Sequence, residues 1–139
     1  MLDLSLFKEH LEWAEGKRAY PYVDSVGKTS IGIGRNLDDK GLRDSEIDLM
    51  LENDIAEALD EAEKLPYFNK LDPVRQLIVA DMVFNMGLPR FKGFIKTNKA
   101  LEAGDYIKAG EEMQDSKWAR QTGRRAIRLI AAMKTGIWK

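Results

Sequence analysis

Three side chains near the N-terminus have the types and spacing that acid–base chemistry requires. Glu15 is followed nine residues later by Asp24, and Ser30 comes six residues after Asp24. Two carboxyl groups flanking a cleft suit cleavage of a glycosidic bond, because one protonates the leaving oxygen while the other handles water or stabilises the sugar cation. A hydroxyl group between them can hold the water. From the residues alone a plainer interpretation also stays open, in which Glu15 is an ordinary surface acid and Asp24-Ser25 is a turn.

The elements predicted around these residues would bring them to one rim of a small sheet. Apolar residues at helical spacing predict a helix over 3–14, so Glu15 lies at its C-terminal end, where the helix dipole disfavours a charged carboxylate. Residues 17–35 are rich in strand formers and glycine, which predicts an antiparallel sheet. Asp24 would then lie beside the turn, with Ser30 on the returning strand.

The rest of the chain is predicted to be helical. An apolar stripe runs through 44–65 and predicts one helix of roughly 30 Å, long enough to connect two lobes. Shorter helices follow, including one that starts at Asp72-Pro73 and a last one over 124–133 before Gly136. The three tryptophans are expected in the core. The predicted fold class is α+β, mainly α with one small N-terminal sheet.

Composition excludes several classes of site. The 139 residues include no cysteine and one histidine, which excludes disulfides, thiolate metal sites and multi-histidine metal sites. We therefore expect no metal and no cofactor. No stretch approaches the ~18 apolar residues of a membrane span, and the N-terminal residues lack the pattern of a secretory signal peptide.

The near-zero net charge hides a segregation of charge. Basic residues number 22 and acidic residues 23, yet seven basic residues and no acidic ones follow Asp115. Residues 44–63 hold nine acids and neither Lys nor Arg. The basic part could bind an anionic polymer, or the two segments could be solvated helix faces of opposite sign. Composition alone favours the solvated faces.

Several segments together resemble the T-even phage lysozyme family. That family places Glu, Asp and Thr at the spacing of Glu15, Asp24 and Ser30, followed by Ile-Gly-Ile-Gly, which is Ile31-Gly32-Ile33-Gly34 here. Five later segments match in order and spacing: Met82-Val83-Phe84-Asn85-Met86-Gly87, Ser116-Lys117-Trp118, Gln121-Thr122, Arg125-Ala126 and Lys134-Thr135-Gly136-Ile137-Trp138. The resemblance covers nearly the whole chain.

The resemblance implies a single lysozyme-like domain over 1–139 with two lobes. The small sheet lobe would comprise 15–43, the connecting helix 44–65, and the helical lobe 1–14 together with 66–139. The implied activity is that of a bacteriolytic endolysin, an N-acetylmuramidase that cuts the β-1,4 bond between N-acetylmuramic acid and N-acetylglucosamine in peptidoglycan. Glu15 would be the general acid, Asp24 would stabilise positive charge or help activate water, and Ser30 would position the attacking water for inversion.

The resemblance also implies a set of substrate contacts. These are Phe84, Arg125, Gln121, Asn36, Thr97 and Glu112, with Arg125 able to reach Glu15. Three departures from the family affect the site: Ser30 replaces Thr, Arg35 replaces a His that pairs with an Asp at the place of Asp54, and the sheet lobe is shorter. We therefore expect an Arg35–Asp54 pair.

Other functions remain open at this stage. A lytic transglycosylase would use one Glu without water, an inactive relative would only bind the wall, and a nucleic-acid-binding domain would use the arginines of 121–128. As a phage or prophage lysozyme, the chain would be a monomer that stays in the host cytoplasm. Its partners would then be the glycan strands of peptidoglycan and a holin that opens the inner membrane.

Overall fold

A computed structural model describes the whole chain, Met1–Lys139. The chain forms two compact units, Met1–Met50 and Leu51–Lys139, and the division falls within the long helix α3 (Asp44–Ala62). The predicted α+β class is confirmed, because nine α-helices accompany one three-stranded antiparallel sheet. None of the helices combines the length and the apolar character that a bilayer span requires.

The first unit contains the sheet and two complete helices. Helix α1 (Leu4–Glu15) precedes the sheet and the short helix α2 (Leu37–Lys40) follows it. The strands β1 (Arg18–Val23), β2 (Thr29–Gly32) and β3 (Arg35–Asn36) pair in sequence order. Asp3 caps α1 by accepting the N–H groups of Ser5 at 3.0 Å and Leu6 at 3.3 Å.

Strand β1 carries extra residues relative to its partner. Arg18 pairs with Gly32 and Tyr22 pairs with Ser30, so four steps along β1 lie opposite two steps along β2. The extra residues bend the strand as a bulge does, and Pro21, which has no N–H to give to a ladder, lies among them. The two paired positions of β1 are therefore separated by only two steps of β2, roughly 7 Å.

The second unit contains the remainder of α3, a 3-10 turn and six further helices. After the turn (Phe68–Lys70) these are α4 (Pro73–Met86), α5 (Leu88–Lys92), α6 (Ile95–Glu102), α7 (Tyr106–Gln114), α8 (Lys117–Thr122) and α9 (Arg124–Thr135). The largest completely buried side chains of the protein lie in this unit: Phe91, Ile78, Met82, Met113, Leu129 and Met133. The hydrophobic core that fixes the fold is thus the core of the second unit.

The predicted helix boundaries hold where capping residues mark them. Asp72 caps α4 by accepting the N–H of Arg75 at 3.2 Å, with Pro73 as the first helical residue. Gly136 ends α9 in the left-handed conformation, with φ +75°. Helix α3 ends at Ala62 and not at 65, because the chain tightens there into i→i−3 hydrogen bonds such as that from the N–H of Leu65 to the carbonyl of Ala62.

The expectation that all three tryptophans lie in the core is wrong, and α3 is buried at only one end. Only Ala58 and Ala62 of α3 are buried, whereas most of the predicted apolar stripe, including Ile47 and Ile55, is 39–50% exposed. The spacing identified the helix correctly but did not report burial along its whole length. Of the tryptophans, Trp13 is 82% exposed, and only Trp118 packs against the core.

Arg35, for which Asp54 was the expected partner, is already engaged within the first unit. The guanidinium of Arg35 binds Glu46 through two parallel hydrogen bonds of 2.7 and 2.5 Å and donates to the carbonyl of Gly41 at 3.2 Å. Glu46 lies in the first turn of α3, within the same unit as Arg35, so a planar guanidinium finds a bidentate partner without leaving that unit. The grouping of residues 1–14 with the helical lobe stays a prediction; these residues fall in the first unit.

Candidate active site

Glu15 is the last residue of α1, and its side chain is exposed. The chain leaves the helix through Gly16 at φ +79°, which turns it into β1. The carboxyl group lies against the backbone of Gly34, where an added β-carbon would come within 2.8 Å of Oε2 of Glu15. The absence of a side chain on Gly34 leaves room for the Glu15 carboxyl group. Gly34 also has φ +71°, a backbone conformation that favours glycine.

Asp24 follows β1 and organises the hairpin loop between β1 and β2. Its Oδ1 accepts hydrogen bonds from the backbone N–H groups of Val26 at 3.0 Å and Lys28 at 2.9 Å. Its own N–H donates to the carbonyl of Lys28 at 2.8 Å, and the N–H of Gly27 donates to its carbonyl at 3.1 Å. The carboxylate is therefore held by the turn, as Asp side chains commonly are, yet only one oxygen is used in this way.

These donors hold the pKa of Asp24 below its ordinary value. The hydrogen bond from the N–H of Lys28 contributes most, and those from Val26 and the Ser30 hydroxyl, with the charge of Lys28, act in the same direction. Partial burial opposes them without reversing the shift. Because each donor stabilises the charged form, Asp24 is a carboxylate at neutral pH.

Ser30 lies in β2 opposite Tyr22 and is only 3% exposed. Its hydroxyl donates to Oδ2 of Asp24 at 3.4 Å, so the structure brings this pair together directly. Glu15 instead contacts Gly34 and precedes β1, whereas Asp24 follows β1. The structure thus joins Asp24 and Ser30 directly, and the convergence of Glu15 with them on one rim stays a prediction.

Asn36, a predicted substrate contact, serves as the cap of α2. Its Oδ1 accepts the N–H of Asp39 at 3.0 Å, and its Nδ2 donates to Oδ2 of Asp39 at 2.9 Å. Both ends of the amide are therefore engaged within the first unit. A contact between Asn36 and substrate stays a prediction.

Three of the predicted substrate contacts line one cavity of about 550 Å³ in the second unit, namely Thr97, Glu112 and Gln121. Thr97 is 2% exposed, so it belongs to the wall of the cavity. Glu112 forms an ion pair with Lys108 at 3.1 Å, which offsets its charge. The structure therefore places together three residues that lie far apart in the sequence.

The same cavity has residues that sequence reasoning missed as site candidates. Phe94 and Trp118 line it and meet edge to face, with ring centroids 6.3 Å apart. Three basic residues, Arg90, Lys96 and Lys117, also line it. The sequence signal was the Ser116-Lys117-Trp118 segment, whose tryptophan was assigned to the core alone.

Phe84 and Arg125 line a second pocket of the same unit, of about 440 Å³. Phe84 is 45% exposed, and the guanidinium of Arg125 holds Oδ1 of Asp81 through Nε at 2.9 Å and Nη2 at 2.8 Å. Arg125 thus has a carboxylate partner within its own unit. The predicted approach of Arg125 to Glu15 stays a prediction.

Comparison with known proteins assigns the chain to a family. The family profile described as phage lysozyme matches residues 12–132, a range that contains Glu15, Asp24, Ser30 and the cavity of the second unit. The chain belongs to the phage lysozyme family. The matched range begins within α1 and ends within α9, so membership covers both units.

The individual relatives share about a quarter of their residues with this chain, each being 28% identical to it. Two proteins of Dictyostelium discoideum, described as probable T4-type lysozymes 1 and 2, are each 28% identical; their alignments cover 96% and 98% of both chains. The pre-baseplate central spike protein Gp5 of Enterobacteria phage T4 is also 28% identical, over 92% of this chain and 27% of that protein. The chain is therefore similar both to whole lysozymes and to a segment of a larger phage protein.

Proposed function

We propose that this chain is a peptidoglycan hydrolase of the endolysin type, which cleaves the β-1,4 bond between N-acetylmuramic acid and N-acetylglucosamine and thereby lyses bacteria. Membership of the phage lysozyme family supports the reaction class. The observation that carries the proposal is the ionised Asp24 with the Ser30 hydroxyl bonded to its second oxygen. Such a pair can hold the attacking water and stabilise positive charge on the sugar. Hydrolysis of a glycoside requires these two tasks in addition to a general acid.

Glu15 is the proposed general acid. It is exposed at the end of α1, so its carboxyl group is accessible to a leaving glycosidic oxygen. Protonation of that oxygen breaks the bond to the anomeric carbon, which then carries developing positive charge.

Asp24 and Ser30 are proposed to act on the opposite side of the sugar ring. The carboxylate of Asp24 stabilises the developing positive charge or accepts a proton from water. The Ser30 hydroxyl donates to Oδ2 of Asp24, so a water molecule bound at Oδ2 would lie next to both groups. Attack from that side inverts the anomeric configuration, in keeping with one acid and one separate water-holding group.

The cavity lined by Thr97, Glu112 and Gln121 is the proposed substrate-binding surface of the second unit. Its aromatic lining suits the apolar faces of sugar rings, while its lysine and arginine side chains suit the carboxylates of a wall polymer. Phe84 and Arg125 are proposed contacts on the neighbouring pocket.

The products of digestion distinguish this proposal from a lytic transglycosylase. Purified peptidoglycan is digested in ¹⁸O-labelled water and the fragments are analysed by mass spectrometry. Hydrolysis places one ¹⁸O at each new reducing end, and proton NMR at early times shows the inverted anomer. Anhydro-muramic ends without label would refute the hydrolase, and a protein that binds the wall without cutting it would be an inactive relative.

Two further parts of the proposal concern partners. Peptidoglycan lies outside the inner membrane, so a chain made in the bacterial cytoplasm reaches it only after a holin-type partner opens that membrane. Co-expression with and without such a permeabiliser, followed by culture turbidity, tests this dependence. Light scattering tests the proposed monomeric state, for which a mass near 15.8 kDa is expected.

A further inference from the structure

The loop between β1 and β2 depends on one glycine that the proposed chemistry does not use directly. Gly27 has φ +85°, a left-handed backbone conformation that costs other residues roughly 1–2 kcal/mol. It is the fourth and last residue of the turn that its own N–H closes by donating to the carbonyl of Asp24 at 3.1 Å. A four-residue turn that ends on a left-handed residue is a common way to close a hairpin with a three-residue loop.

The left-handed step determines where the next amide points. After Gly27 the chain reverses so that Lys28 both accepts the N–H of Asp24 at 2.8 Å and donates its own N–H to Oδ1 of Asp24 at 2.9 Å. A residue with negative φ at position 27 would send Lys28 in another direction and break this pair of bonds. The orientation of the Asp24 carboxylate therefore depends on the backbone of Gly27.

We propose that Gly27 is a positioning residue for Asp24: its left-handed backbone keeps the N–H of Lys28 on Oδ1, beside that of Val26, and so reserves Oδ2 for Ser30 and the reacting water. This inference rests on the proposed function for its catalytic consequence. It assigns the two oxygens different tasks, one held by the turn and one presented to the reaction.

Other charged groups around the loop are few and are themselves paired. The ammonium of Lys28 binds Asp39 at 3.2 Å, and Asp38 accepts the N–H of Thr29 at 2.9 Å. Among them, only the charge of Lys28 contributes to the lowered pKa of Asp24, and it contributes less than the backbone donors do. Loss of the Lys28 N–H bond therefore raises the pKa of Asp24, because the largest interaction favouring its charged form is removed.

Gly27→Ala tests the proposal, with Gly27→Asn and Gly104→Ala as matched variants. A β-carbon at Gly27 or at Gly104 would meet nothing within 4 Å, and Gly104 has a similar φ of +73° but lies in the second unit. Both alanine variants thus carry backbone strain without a clash. Asparagine tolerates left-handed φ, so Gly27→Asn should behave like the wild type.

Two readouts are measured for each variant: the acid limb of the pH profile of kcat/KM and the titration of Asp24 by carboxyl ¹³C NMR. We expect Gly27→Ala to move both midpoints upward by at least ~0.5 pH unit, while Gly27→Asn and Gly104→Ala leave them in place. An unmoved Asp24 titration in a folded Gly27→Ala protein would overturn the inference. The NMR titration does not require activity, so an inactive wild type would refute the proposed function and leave the inference testable.

Discussion

The carboxyl group of Glu15 occupies the space that a side chain at residue 34 would fill. A β-carbon on Gly34 would lie 2.8 Å from Oε2 and 3.0 Å from Cδ of Glu15. The second glycine of the Ile-Gly-Ile-Gly segment is thus needed for the position of Glu15, the proposed general acid, as well as for the turn between β2 and β3. A residue 19 positions further along the chain therefore determines where the proposed acid lies.

Replacement of Gly34 by alanine should displace Glu15. We expect activity on purified peptidoglycan to fall by at least ~10-fold, since even small displacements of a catalytic group are costly. The matched control is Gly32→Ala, which has the same left-handed backbone at φ +70° but nothing within 4 Å of the added carbon. Equal losses in the two variants would mean that backbone strain, and not displacement of Glu15, explains the effect.

Asp24→Asn should separate the structural and chemical tasks of this residue. Asparagine can keep the turn because its amide oxygen still accepts the N–H groups of Val26 and Lys28, but it presents an uncharged NH₂ group toward Ser30. We expect at least a ~10²-fold loss of kcat with little change in Tm. Asp24→Ala serves as the control that loses both the turn and the activity. Near-normal activity of a folded Asp24→Asn protein would contradict the role given to its carboxylate.

The Arg35–Glu46 pair should make stability depend on acidity. The hydrogen bonds that the Arg35 guanidinium donates to Glu46 hold the pKa of Glu46 at about 2, below the ordinary 4.5. Between pH 4.5 and about pH 2 the folded protein therefore binds fewer protons than the unfolded chain. The contribution of the pair to stability is complete above pH 4.5 and is lost as the pH falls toward 2.

Thermal unfolding of Glu46→Gln between pH 6 and pH 2.5 measures this dependence. The difference in Tm from the wild type should be largest at pH 6 and should shrink as the pH falls. Glu57→Gln, at an exposed position of α3 without an ion pair, should show no such trend. A difference in Tm that stayed constant with pH would argue against the ion pair.

Arg75 stabilises the C-terminal end of α9 from the start of α4. Its guanidinium donates to the carbonyl of Met133 at 2.9 Å and to that of Lys134 at 3.4 Å, and it lies 4.1 Å from the ring centroid of Tyr106. Arg75→Met should lower the free energy of unfolding by about 2–3 kcal/mol, because the last carbonyls of α9 lose a charged donor. Urea denaturation measures this loss, with substitution of the exposed Arg120 by Met as the control. Equal stabilities of wild type and Arg75→Met would contradict the role of Arg75.

Local signals allowed much of the fold to be predicted. Capping residues such as Asp72 and Gly136 mark helix ends through bonds to adjacent backbone, so α4 and the end of α9 could be placed from the sequence. Glycine with strand formers located the sheet. Spacing alone did not reveal the bulge in β1, since its register depends on which residue of β2 pairs with Tyr22.

Side-chain partners were harder to predict than elements. Arg35 was assigned to Asp54 by resemblance, but Glu46, within the same unit as Arg35, offers two oxygens to the planar guanidinium. The pairing of Asp24 with Ser30 was accessible because both lie beside one short hairpin. The contact between Glu15 and Gly34 was not, because it depends on the turn after β2 and on the absence of a side chain.

The role of Glu15 is tested most directly by comparing wild type and Glu15→Gln on purified peptidoglycan, with folding of both proteins checked by circular dichroism. Glutamine keeps the shape of Glu15 beside Gly34 but cannot donate an acidic proton. We expect release of new reducing ends by the wild type and a rate at least ~10²-fold lower for the variant. Equal rates for the two folded proteins would contradict the assignment of Glu15 as the general acid.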